Sequence, residues 1–263
     1  VSPNARVRAR DKRHLKKRET VLARREMESR RNKQALGIVA ILAVVIGGLV
    51  GLSMFVNKDK AGTAAGPAAN VVGGCVAAPK VPTDKRTATL PDAKTAAGKT
   101  FIATVTTNCG NLTVELDGTK APQTVASFLG LARSGYWADS PCHRLTTTDP
   151  LYVLQCGDPT GTGGGSPGYG FGVENAPANF TYPVGTLAMA RTSDPKSNGG
   201  QFFIVYKQSQ IQDPTGYSIF GRVTSGLDIV NKIAAAGVAK AATDGAPVQP
   251  ISILKVDVTE KKA

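Results

Sequence analysis

The stretch CHRLTTTDPLYVLQCGD, residues 142–158, carries two of the four cysteines and one of the two histidines of a 263-residue chain, with Arg144 directly after His143 and Gln155 directly before Cys156. Three chemistries compete for it: a metal site, a covalent nucleophile, and a polar patch held by a sulfur staple. Zinc ligands usually come as Cys pairs two to four residues apart or His pairs three to five apart, whereas thirteen residues separate Cys142 from Cys156. The two cysteines flank a strand, a loop and a second strand, a spacing that suits a cross-strand bridge better. Neighbouring residues of a strand point to opposite faces, which sends Cys142 and His143 apart and denies a nucleophile its thiolate–imidazole contact. His143 is the only histidine beyond the N-terminal region, and no G-x-S-x-G frames a serine, so a serine hydrolase is excluded as well. His143 is expected to be a buried structural residue. What remains are Arg144 and Gln155, two fixed hydrogen-bonding groups set among the apolar runs LYVLQ and SNGGQFFIVY, the polar centre of an apolar pocket.

Outward from this stretch the punctuation is that of many short strands. FIATVTTNCGNLTVEL, residues 101–116, has two runs rich in β-branched residues around a turn at Asn108–Asn111, which predicts a hairpin. KAPQTVASFLGLARSG then sets Pro122 at a helix start, Val125, Phe128, Leu129 and Ala132 on one face, and Gly135 at the end. Further strands are expected at LYVLQ, GTLAMA, QFFIVY, SIFGRV and ISILKVDV, with a second helix at GLDIVNKIAAAG. Only two helices and no βαβ rhythm predict a mostly β domain, an antiparallel sheet closed into a barrel with helices over its ends. The Gly-rich GDPTGTGGGSPGYGF, residues 157–171, lacks the GK[ST] ending of a phosphate cradle and reads as a shaped loop.

The net charge of +13 invites a nucleic-acid reading until its location is checked. Residues 1–34 hold 13 Lys and Arg against 4 Asp and Glu, leaving 19 against 15 for everything after them. That tail has no aromatic residue to stack on a base, so no nucleic-acid partner is expected. Directly after it, ALGIVAILAVVIGGLVGLSMFV, residues 35–56, runs for 22 positions without a charge, enough at 1.5 Å per residue to cross a hydrocarbon core of about 30 Å. A cleaved signal peptide fits less well, because the charged region is too long, the apolar run exceeds the usual length, and no A-x-A site closes it. The basic flank orients the span with its N-terminus in the cytoplasm and sends the rest of the chain outside. The expected division is a basic cytoplasmic tail (1–34), a single-pass transmembrane helix (35–56), a flexible extracytoplasmic linker rich in Ala, Gly, Pro and Thr (57–99), and the working domain (100–263) at the outer face of the cell membrane. In an oxidising compartment four cysteines, all beyond the span, favour two bridges; three pairings are open, with Cys75 to Cys109 the better partner for the linker cysteine.

The domain resembles the cyclophilins, a family of peptidyl-prolyl cis-trans isomerases, over roughly residues 100–258. The family's F-H-R and Q-G-G-D appear as CHR at 142–144 and QCGD at 155–158, followed by the Gly-rich loop. Its M-A-[NR] and [ST]-N-G-[SG]-Q-F-F-I segments appear in MARTSDPKSNGGQFFIVY at 189–206, and its V-F-G-[KR]-V as IFGRV at 219–223. The resemblance implies a closed eight-stranded antiparallel barrel capped by two helices, with no cofactor and no metal. It implies Arg144 as the catalytic arginine and Gln155 as the holder of the substrate backbone. Gln201 and Phe203 fall on the family's Gln and Phe, and Ala190 and Arg191 on the pair that binds the residue before proline. Tyr152 and Val153 stand on its Phe and Met, Ile211 on its Leu and Tyr217 on its His.

The departures carry information too. Cysteines replace both the Phe before His-Arg and the first Gly after Gln, on strands the family pairs as neighbours, which supports a Cys142–Cys156 disulfide. Three extra residues lengthen the loop between Arg144 and Gln155. The family's drug-contacting Trp is absent, Gln210 or Gln212 lying there, so cyclosporin binding is expected to be weak. The implied activity is rotation of X-Pro bonds in exported, proline-containing polypeptides. The alternative is a proline-binding holdase in which catalysis is incidental.

Overall fold

The computed structural model describes residues 74–262. The basic tail, the expected span at 35–56 and the linker up to residue 73 lie outside the described residues, and among the described residues no helix is long and apolar enough to cross a membrane.

The hairpin forms as its β-branched runs predict. Strand β1 (Thr100–Thr107) pairs with β2 (Gly110–Asp117), with Thr107 opposite Gly110 across a two-residue turn. Asn108 of that turn is buried because its amide bonds in three directions: Oδ1 accepts from Ser252 N at 2.7 Å, and Nδ2 donates to Val76 O at 2.8 Å and Pro250 O at 3.2 Å. Helix α1 (Pro122–Arg133) starts at its proline and buries Val125, Phe128, Leu129 and Ala132. Ala121 offers no side-chain cap, and the distant Glu174 supplies one, accepting from Gln123 N, Thr124 N and the Thr124 hydroxyl at 2.7–3.0 Å. A carboxylate there satisfies free N–H groups at the positive end of the helix dipole. Helix α2 (Leu227–Ala236) buries Val230 and Ile233.

The remaining strands are β3 (Ser140–Pro141), β4 (Arg144–Thr146), β5 (Val153–Cys156), β6 (Thr181–Tyr182), β7 (Thr186–Met189), β8 (Phe202–Val205), β9 (Ser209–Gln210), β10 (Ile219–Ser225), β11 (Asp244–Gly245) and β12 (Ser252–Glu260). Ten form one antiparallel sheet in the order β11-β4-β5-β8-β7-β10-β2-β1-β12-β3, and β6 pairs with β9 apart from it. The expected closed ring of eight is therefore a curled half-barrel of ten. The reason lies in the segment 140–146, which changes partners at Cys142–His143: β3 pairs with β12, the Cys142 N–H continues that pairing to Ile251 O at 2.9 Å, and β4 then turns to β5. One short piece of chain thus belongs to both ends of the sheet, and the two-residue β11 extends one end further.

Strands β5, β7 and β8 read as nearly continuous apolar runs because both of their faces are covered. Leu154 and Cys156, Leu187 and Met189, Phe202 and Ile204 face the main core. The alternate residues Val153, Ala188, Phe203 and Val205 join Tyr182 in a second, smaller cluster on the other face. The period of two along a strand divides each run between a packed interior and a surface hollow.

Residues 74–99 differ from the flexible linker their composition predicts. Cys75 is bonded to Cys109, Val76 N donates to Asn108 O, and Ala88 N donates to Pro167 O. A short 3-10 turn at Ala93–Thr95 ends in the fully buried Ala96, whose carbonyl lies so close to Gly118 that a Cβ there would sit 2.1 Å from it. Hydrogen bonds to main-chain groups and a sulfur bridge hold much of this segment, and neither leaves an apolar period in the sequence.

Leu154 is fully buried in the main core and faces away from the hollow. Leu154→Ala is expected to lower stability by about 2–5 kcal/mol, read as a shifted urea midpoint with an unchanged slope.

Candidate active site

Strand register gathers the site. Across β4, β5, β8 and β7, Arg144 lies opposite Gln155, Gln155 opposite Phe203, and Phe203 opposite Ala188, so these four side chains form one row on the face away from the main core. Beside the row is a hollow of about 230 Å3 lined by Arg144, Leu151, Val153, Gln155, Ala190, Arg191, Phe203, Ile211 and Tyr217. Its aromatic floor is edge-packed: Phe203 lies 6.1 Å from Tyr182 and 5.9 Å from Tyr217 between ring centroids, and the Tyr182 hydroxyl accepts from Tyr217 N at 2.8 Å.

Arg144 is held as a fork. Its Nε and Nη2 donate to the two carboxylate oxygens of Asp244 at 2.7 and 2.8 Å, and its Nη1 donates to Gln155 Oε1 at 3.1 Å. Gln155 Nε2 donates in turn to Gln201 Oε1 at 3.0 Å, and Gln201 Nε2 to the carbonyls of Gly163 and Gly165 at 2.9 and 3.0 Å. Three of the five guanidinium N–H groups are used in this way, which leaves two for a ligand. The pairing raises the Arg144 pKa, mainly through its hydrogen bond to Asp244, and the same bond lowers the Asp244 carboxyl below its ordinary value.

Most of the expected site residues meet here, with three differences. Gln201 stands one step away, lining an adjoining groove of about 400 Å3 under the Gly-rich loop. Tyr152 is not among the residues lining the hollow; its ring packs edge-on against Tyr206, with the Lys207 ammonium 4.2 Å from its centroid, and Leu151 supplies the wall instead. The extra residues between β4 and β5 allow this exchange, folding back through a bridge between Thr148 and Leu151. Arg191 lines the hollow, but its side chain is 2% exposed and its guanidinium is committed internally, to Gly216 O, Thr192 O and Asp213 Oδ1 and over the Tyr217 ring at 4.6 Å. It braces the rim rather than offering donors to a ligand. Asp244 and Leu151 escaped the sequence reading. Asp244 is a lone acid in a loop of small residues a hundred positions from Arg144, and only the pairing of β11 with β4 brings it near.

The Gly-rich loop is organised by Asp158, which is fully buried. Its oxygens accept from Thr160 N, the Thr160 hydroxyl, Gly163 N and Gly165 N at 2.7–3.1 Å. A side chain at Gly165 would place its Cβ 1.9 Å from that carboxylate, which is why the position is glycine. Burial pushes the Asp158 carboxyl upward, yet the hydrogen bonds from Thr160, Gly165 and Gly163 outweigh it and hold it below its ordinary 3.8. His143 lies behind the loop near Gly163, and burial lowers its pKa, so its ring is neutral. Cys142 and Cys156 are bonded to each other, as their joint replacement implied, which removes both thiolates that a metal or nucleophile reading requires.

The family model described as cyclophilin type peptidyl-prolyl cis-trans isomerase/CLD matches residues 102–258. The chain belongs to the cyclophilin family. Among curated proteins this cyclophilin is 43% identical over 162 residues to the probable peptidyl-prolyl cis-trans isomerase B of Mycobacterium tuberculosis, covering 57% of this chain and 52% of that protein. It is 41% identical over 186 residues to the Mycobacterium leprae protein of the same name, covering 66% and 58%. It is 38% identical to peptidyl-prolyl cis-trans isomerase-like 1 of Aspergillus fumigatus, covering 59% of this chain and 93% of that protein. The match thus spans little more than half the length of the mycobacterial relatives. A solved structure of a cyclophilin type isomerase from Cryptosporidium parvum superposes with a TM-score of 0.52 at 30% identity, covering 62% of this chain and 99% of that one.

Asp158→Asn replaces an acceptor-only group by one that also donates, against N–H and O–H groups that already donate. The expected loss is about 1–3 kcal/mol at pH 7, measured by urea unfolding. Because the folded carboxyl is depressed, its contribution is complete above the ordinary value of 3.8 and is lost as pH falls through the lower folded value. The gap between wild type and variant should therefore narrow only in strong acid.

Proposed function

We propose that this cyclophilin accelerates cis–trans rotation about X-Pro bonds of exported polypeptides, without a covalent intermediate. One observation carries the reading: a guanidinium fixed by Asp244 and Gln155, with two of its N–H groups unused, lines a hollow walled also by Leu151, Val153, Phe203 and Ile211. The X-Pro bond resists rotation by about 18–20 kcal/mol because the C–N link is partly double, and unaided it turns in tens to hundreds of seconds. Rotation uncouples the prolyl nitrogen from its carbonyl and makes that nitrogen a better hydrogen-bond acceptor. Phe203, Val153, Leu151 and Ile211 grip the ring and exclude water. Arg144, always charged and preset as a fork, donates most strongly in the twisted state. Gln155 and the adjoining groove hold the main chain of the substrate. No proton leaves and no bond to the protein forms, so the chemistry needs neither the neutral His143 nor a metal.

The expected division of the chain supports action outside the cytoplasm: residues 1–34 inside, 35–56 through the membrane, the domain beyond. Two disulfides in the domain agree with an oxidising compartment, where such bridges persist. The site's partner is then a proline-containing segment of a chain newly outside the membrane. Gln210 and Gln212 are both exposed, and neither offers the indole that cyclosporin contacts in the family, so weak binding of that drug is expected.

Arg144→Ala is expected to lower kcat/KM in a coupled prolyl-peptide assay by about 100- to 1,000-fold with an unchanged far-UV spectrum. Full activity in that variant would remove the mechanism, and lost turnover with retained cellular function would favour the holdase alternative. Asp244 touches only Arg144 in the site, and the pair is partly exposed. Asp244→Asn should therefore cost a smaller factor of about three to ten, expressed in kcat rather than KM and partly restored by Asp244→Glu.

A further inference from the structure

We propose that residues 75–99, which precede the region matched to the family, form a strap that positions the ligand-facing side of the site. The part of the site that depends on it is Gln201, which joins Gln155 to the Gly-rich loop. Gln201 can hold Gln155 only if two things stay put: its own main chain, and the carbonyls of Gly163 and Gly165 that receive its amide. The strap touches the supports of both.

One route runs to the loop. Ala88 N donates to Pro167 O at 2.9 Å, two residues past Gly165. Thr87 and Val81 lie alongside the loop, their methyl carbons each 3.7 Å from where a Cβ would stand on Gly168 and Gly161, an ordinary contact distance. The second route runs to the shelf under Gln201. Arg86 Nη1 donates to the carbonyls of Tyr136 and Ala138 at 2.9 and 2.6 Å, while Asp84 fixes its Nε and Nη2 at 2.7 and 3.2 Å. Tyr136 packs against Gly200, where a Cβ would sit 2.7 Å from the ring, and Trp137 Nε1 donates to Gly200 O at 3.0 Å, one residue before Gln201.

The strap is anchored at both ends, by the Cys75–Cys109 bridge and by the buried Ala96, so it is a closed brace. Between these ends it has few apolar side chains, with Ala88 and Leu90 packed against the main core and Pro91 O accepting from Gln123 Nε2 at 2.9 Å. The loop it braces is rich in glycine, which has the largest backbone freedom to lose on ordering. Removing the brace should therefore loosen that loop before anything else.

The test uses the full chain and two variants, Arg86→Ala and the double variant Cys75→Ala/Cys109→Ala, with hydrogen–deuterium exchange as the first readout. The amides of Gly163 and Gly165, which donate to Asp158, should exchange about tenfold faster or more in both variants, while the paired amides of β1 and β12 keep their wild-type rates. The second readout rests on the isomerase reading: KM for a proline tetrapeptide should rise about three- to tenfold with kcat within about twofold, since the strap reaches Arg144 only through Gln155 while Asp244 keeps two of its three bonds. Unchanged loop amides, or equal acceleration throughout the domain, would overturn the proposal. A wild type without turnover would remove the isomerase reading alone, and the exchange pattern would still decide the strap.

Discussion

Everything in the site depends on keeping one long cationic side chain still without using up its donors. An arginine on a short strand of three residues has four rotatable bonds and ready access to water. Asp244 takes one edge of the fork and Gln155 one nitrogen of the other. The orientation of every later member follows from this start. Arginine only donates, so Gln155 must turn its oxygen to it and its nitrogen away; Gln201 must then turn its oxygen to Gln155 and its nitrogen toward carbonyls. The chain ends on main-chain groups that cannot flip. A partly exposed ion pair adds little to stability, so the significance of Asp244 lies in direction rather than in energy.

The sheet makes this arrangement available by serving two clusters at once. Gln155 and Cys156 are neighbours in β5, and they point to opposite faces: one into the polar row, the other into the main core, where it is bonded to Cys142. That bridge joins β5 to the point at which segment 140–146 changes partners, two residues before Arg144. The position of β4 against β5, and hence the pairing of Arg144 with Gln155, is thus fixed from behind by a bond that takes no part in the chemistry.

What the sequence made legible were the features that repeat along it. Short apolar runs marked β5, β7 and β8, the Pro122 and Gly135 boundaries marked α1, and the motifs shared with the family pointed to Arg144, Gln155, Phe203 and Gln201. Features decided by distant pairings were not legible. Asp244 needs β11, which is two residues long. The exchange of Leu151 for Tyr152 depends on how an extended loop folds back. The segment 74–99 lacks an apolar period and so resembles a tether, yet Arg86 and Ala88 hold it through carbonyls that no composition marks. The strand count differed for a related reason, since a change of partner within 140–146 turns one expected strand into two.

Arg191 and Tyr217 illustrate how substitutions at a rim act together. The family pattern places an amide-bearing or basic residue at the first position and a histidine at the second, both able to meet a ligand. Here the arginine turns inward, stacks on the tyrosine and pairs with Asp213, while Gly216 accepts two of its bonds. Burying a side chain that is 2% exposed is offset by an oxygen partner for each of its nitrogens, so the loop 213–217 must keep its shape for Arg191 to remain buried. The far wall of the hollow is thus tied to the main chain at Thr192 and Gly216, whereas the near wall rests on Asp244, which is half exposed.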